Sequence, residues 1–92
     1  MLAAFREVED ALADLRELAL QEDLTARVLA AVRVRLANAE NRHKAGLANE
    51  NELTLARRDE ALAARTLSMV VWERRQVAVR LAAATGGGWA AK

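Results

Sequence analysis

Lys44-Ala45-Gly46-Leu47-Ala48-Asn49-Glu50-Asn51-Glu52 is the one stretch between Met1 and Thr85 where a long helical pattern is told to stop. Gly46 is suited to the left-handed backbone that closes a helix, and Leu47 is placed to fold back on the last turn. Lys44 brings a positive charge to the end of that helix, where the dipole favours it. Asn49 reads as the N-cap of a second helix, and Glu52, three residues on, completes a capping box. A reversal this short makes the flanking helices antiparallel neighbours. The expected fold is therefore all-α: a long antiparallel, coiled-coil-like hairpin turning near Gly46. It comprises a helix over about 2–44, a turn over 45–49, a helix over about 50–84 and a glycine-rich tail over 85–92, all in one domain.

The first arm carries Phe5, Val8, Leu12, Leu15 and Ala19 at spacings of three and four, which marks one helical face. A polar patch at residues 21–23 interrupts it, and the stripe resumes through Leu29, Val32, Leu36 and Ala39 to His43. A second apolar edge follows Leu20, Leu24, Val28 and Ala31, so this helix is expected to have neighbours on more than one side. Its length, about 65 Å at 1.5 Å per residue, is that of a coiled-coil arm. In the second arm Leu53, Ala56, Ala63, Leu67, Val70, Val77, Leu81 and Ala84 keep a seven-residue rhythm. Glu60 and Arg74 break it, and they read as flanking positions whose stems snorkel.

Composition bounds the rest. The 92 residues contain no proline and no cysteine, and the aromatic residues are Phe5, Trp72 and Trp89. Alanine, leucine, arginine and glutamate favour helix, but thin alanine-lined helices bury little, so partners are expected to cover the remaining apolar surface. A net charge of +1 argues against nucleic acid as partner. The charge is unevenly placed, however. Seven acids against Arg6 and Arg16 occupy residues 1–24, while residues 65–92 hold four arginines and Lys92 against Glu73. A turn at Gly46 lays one beside the other, for instance Asp14 near Arg80. Arg6, Glu7 and Glu9 follow closely on Met1, and no apolar run reaches bilayer length, so neither a signal peptide nor a membrane span is expected.

Catalysis is not expected. His43 is the sole histidine and has no cysteine or second histidine with which to hold a metal, so it reads as a packing or capping residue. Ser68, the sole serine, lies mid-helix with no histidine at helical spacing. Glycines 86–88 lack the flanking strand and helix of a phosphate loop. No cofactor is implied.

Three segments together resemble one family. Ala4-Phe5-Arg6-Glu7-Val8-Glu9-Asp10-Ala11-Leu12 resembles A-F-x-E-V-x-D-A-L of TolC-like outer-membrane efflux channels. Asn41-Arg42-His43-Lys44-Ala45-Gly46-Leu47 resembles their R-Y-x-x-G-L, and Ala83-Ala84-Thr85-Gly86-Gly87-Gly88-Trp89 the A-L-G-G-G-W ending of the NodT-type lipoprotein branch. The resemblance implies a C-terminal fragment of such a channel: a structural segment of the periplasmic α-helical barrel of a homotrimer. Gly46, Leu47 and Ala48 would lie at the tip that docks a periplasmic adaptor, with an inner-membrane pump beyond. Glu52 falls where the family often has the first of two acidic residues near the pore constriction; Leu55 stands in place of the second. Localisation by this resemblance is the outer membrane and periplasm. The alternative, from composition alone, is a stand-alone self-associating coiled coil or four-helix bundle.

Overall fold

In the computed structural model, which describes residues 2–86, the chain is an all-α helical hairpin of two helices, α1 (Leu2–Lys44) and α2 (Glu50–Ala84). The remainder of the glycine-rich tail, including Trp89, lies outside the described residues. α1 ends in Arg42, His43 and Lys44, while α2 begins with Glu50 and Glu52 in its first turn. Both sets of charge sit where the helix dipole stabilises them. α2 stops where Gly86 takes a φ of 96°, with Gly86 N–H donating to the Ala83 carbonyl. Thr85 helps to close that end, its hydroxyl donating to the carbonyls of Leu81 and Ala82 at 3.0 Å.

The chain divides into two compact units, and both helices run through each of them. In the unit Met1–Glu22 with Met69–Lys92, Ala11, Leu18, Val70 and Val77 form a buried cluster, with Leu15 and Leu81 packed against it. In the unit Asp23–Ser68, Leu29, Val32, Ala39 and Leu53 are buried, and Leu36, Ala56, Ala63 and Leu67 are half-buried. In α2 these inward residues follow the seven-residue rhythm read from the sequence.

In α1 the inward line differs from the sequence reading. It runs through Val8, Ala11, Leu15 and Leu18, whereas Phe5, Leu12 and Ala19 stay exposed beside it. The expected stripe mixed two neighbouring files of the helix. Both are apolar at the same spacing, and packing against α2 pairs the file of Val8 and Leu15 with that of Ala11 and Leu18 rather than with that of Phe5, Leu12 and Ala19. The second edge, Leu20, Leu24 and Val28, is exposed.

The charges that break the pattern are matched to one another across the hairpin. Arg74 Nε lies 2.9 Å from Glu22 Oε1, with Glu22 half-buried and Arg74 exposed. Glu60 accepts a hydrogen bond from Arg33 Nε at 3.1 Å. Arg74 and Glu60 therefore each meet a charged partner in α1. On the rim, Arg80 donates to Asp14 at 3.1 Å, the juxtaposition that the acidic beginning and basic end imply. Such exposed pairs are worth only about 0–1 kcal/mol each, so they select register more than they add stability.

Burial and not hydropathy decides which leucines matter. Leu29→Ala should destabilise by about 2–3 kcal/mol, while Leu24→Ala, at a residue 59% exposed, should stay within about 0.5 kcal/mol. Urea unfolding followed by circular dichroism at one fixed concentration reads both.

Candidate functional site: the hairpin tip

The tip is built from the two helix ends up. Gly46 holds a φ of 76°, and two hydrogen bonds close the last turn of α1 around it: Leu47 N–H to the Arg42 carbonyl at 2.8 Å and Gly46 N–H to the His43 carbonyl at 3.0 Å. This is the Schellman arrangement, which satisfies carbonyls that a helix end otherwise leaves without partners. Three residues later Asn49 caps α2, its Oδ1 accepting from Glu52 N–H at 2.8 Å. Gly46 and Asn49 thus do the work that the sequence assigns them.

Glu52 departs from the capping-box expectation. Its N–H takes the cap, but its carboxylate reaches across to Arg42 Nη1 at 3.4 Å. Arg42 also donates from Nη2 to the Leu47 carbonyl at 3.3 Å, tying the turn to the end of α1. A second cross-tip contact joins His43 Nε2 and Glu50 Oε1 at 3.0 Å, with His43 half-buried and Glu50 open to solvent. His43 therefore packs and pairs at the end of the inward line.

Leu47 does not fold back. It is 71% exposed, because the residue it would cover is Arg42, whose side chain is engaged by Glu52 and by the Leu47 carbonyl itself. Ala48 is half-buried and Gly46 exposed. The tip thus presents a bare leucine beside a rigid, hydrogen-bonded turn. Arg42 is the organising residue that the sequence reading missed; its position seven residues after Arg35, opposite Glu52 and Asp59, was the available signal. Those four charges flank a shallow groove of about 320 Å³ floored by Val32 and Ala56.

Among the described residues there is no group of three or more His, Asp or Glu side chains able to hold a metal, and no helix long and apolar enough to cross a membrane. Comparison with protein-family models, with characterised proteins and with solved structures found no match.

The tip depends on its backbone more than on its ion pairs. Gly46→Ala should cost about 1–2 kcal/mol, the strain of a Cβ in the left-handed region, although no atom within 4 Å would clash with that Cβ. Asn49→Ala should cost about 1 kcal/mol through loss of the cap. Raising the salt concentration should weaken neither effect, and thermal melts at low and high salt check this.

Proposed function

We propose that this chain is a wall segment of the periplasmic α-helical barrel of a TolC-like, trimeric outer-membrane efflux channel, its tip docking a periplasmic adaptor. The reading is supported by the order of the three resembling segments along the chain. The single observation that carries it is the pre-formed reversal between Lys44 and Glu50, which leaves Leu47 uncovered. A docking tip needs a turn whose shape is fixed before its partner arrives, because ordering a loose loop on binding subtracts from affinity. The capped turn meets that need, and Leu47 offers an apolar anchor of the kind a helical partner covers.

In this reading Gly46, Leu47 and Ala48 meet the adaptor. Glu52 lends its carboxylate to the field at the constriction, moderated by the Arg42 guanidinium that faces it. The function is structural, and the transported substrate touches the assembled conduit rather than any catalytic group of this chain.

Cysteine substitution tests the docking, since the chain has no native cysteine. Leu47→Cys and Ala48→Cys, treated with a short thiol crosslinker beside an adaptor protein from the same cell, should give adducts. Leu24→Cys, away from the tip, should give none. Absence of adducts from both tip positions, or equal yields from all three, would remove the assignment.

A further inference from the structure

The two edges of the hairpin beside its inward line are chemically unlike, and within the unit Met1–Glu22 with Met69–Lys92 the contrast is sharp. On one edge Glu7, Asp10 and Asp14 of α1 line a groove with Arg80 of α2, three carboxylates to one guanidinium. On the other edge the groove is almost wholly apolar: Val8 and Leu12 of α1 with Ala78, Leu81 and Ala82 of α2, about 430 Å³ in volume. Phe5, 61% exposed, and Leu12, 40% exposed, rise from α1 beside this groove, and Ala19 continues their file. Val71 and Ala78 answer them on α2. In the unit Asp23–Ser68 the corresponding file continues through Ala26 and Ala64 and then turns charged at Arg33, Glu40, Glu50 and Arg57, so its apolar character ends before the tip.

A helix whose apolar residues occupy the two inward files and one flanking file has the pattern of a four-helix bundle, whereas a two-stranded coiled coil needs the inward files alone. The charges along the rim indicate the occupant. Glu9 and Arg16 are exposed, seven residues apart, and lie on the same side of α1 as Leu12, with Leu12 between them. Two copies of α1 crossing antiparallel about a two-fold axis near Leu12 bring each Glu9 to the other's Arg16, and each Phe5 to the other's Ala19. An isologous contact requires such self-complementarity. The acidic edge lacks it, because a second copy placed there would set carboxylates against carboxylates.

We infer that the apolar edge formed by Phe5, Leu12, Ala19, Val71 and Ala78 docks the same edge of a second copy of this chain, giving an antiparallel two-fold dimer registered by reciprocal Glu9–Arg16 pairs. The inference gives the self-association suggested by composition a face and a symmetry. It stands independently of the efflux reading, since adaptor adducts at the tip of a monomeric chain would support that reading while overturning this one.

Sedimentation equilibrium over a concentration series, with helicity followed in parallel, tests it. The wild-type chain should be dimeric, and Leu12→Glu should weaken dimerisation at least about tenfold. Met69→Glu, on the other side of α2 and 54% exposed, should leave it within about twofold. Glu9→Arg alone should weaken it about fivefold to tenfold, and the double exchange Glu9→Arg with Arg16→Glu should restore it. A wild-type monomer at millimolar concentration would overturn the proposal. So would an unaltered Leu12→Glu dimer, a Met69→Glu chain dissociated as fully as Leu12→Glu, or a double exchange that fails to recover. Should Leu12→Glu lose its helicity, the charge-exchange series, which alters no apolar contact, decides alone.

Discussion

Gly46 is the constraint on which the rest depends. A φ of 76° there ends α1 and turns the chain within five residues, so that α2 can begin at Glu50. The dipole logic of the two helix ends then reinforces the reversal. A helix C-terminus favours cations and a helix N-terminus favours anions, so the charges that suit the end of α1 are opposite in sign to those that suit the start of α2. Bringing the ends together pairs them, Arg42 with Glu52 and His43 with Glu50. One glycine thereby fixes the backbone, and the flanking charges confirm the geometry that it imposes.

Beyond the turn the inward line is thin. Ala11, Ala39 and Ala56 take positions where larger side chains would bury more area, and no large side chain is fully buried among the described residues. Specificity falls instead to polar matches. Glu22 of the inward line meets the exposed Arg74 in one unit, while Arg33 with Glu60 ties the helices in the other. A slip of register would forfeit both pairs, each worth about 0–1 kcal/mol at this exposure.

The turn, both helix spans and the inward file of α2 were legible in the sequence, because each rests on a local rule: a left-handed glycine, an N-cap asparagine, leucine and valine every seven residues. The Asp14–Arg80 contact followed from charge blocks once the turn was placed. The face of α1 was not fully legible. Phe5, Leu12 and Ala19 keep the same seven-residue period as Val8 and Leu15, and alanine is too small for its hydropathy to separate a seam from a flank. Only contact with α2 breaks that degeneracy. Glu22 and Thr25 hid the seam further, since polar residues on an inward line read as an interruption until their surroundings are known. At the tip, Gly46 and Asn49 were legible, but the reach of Arg42 to Glu52 and the resulting exposure of Leu47 depend on side-chain choices that spacing does not fix.

The central claim is that each chain closes on itself at Gly46 and does not pair its arms with those of another. Spin labels at Ala13→Cys and Val79→Cys, both exposed, test it through their separation measured by pulsed dipolar spectroscopy in a large excess of unlabelled chain. Helices packed 8–10 Å apart place the two labels within roughly 30 Å, and that distance should survive the dilution unchanged. A continuous helix through the turn would hold them roughly 100 Å apart, and arms exchanged between chains would lose the short distance on dilution. Either result would contradict the account.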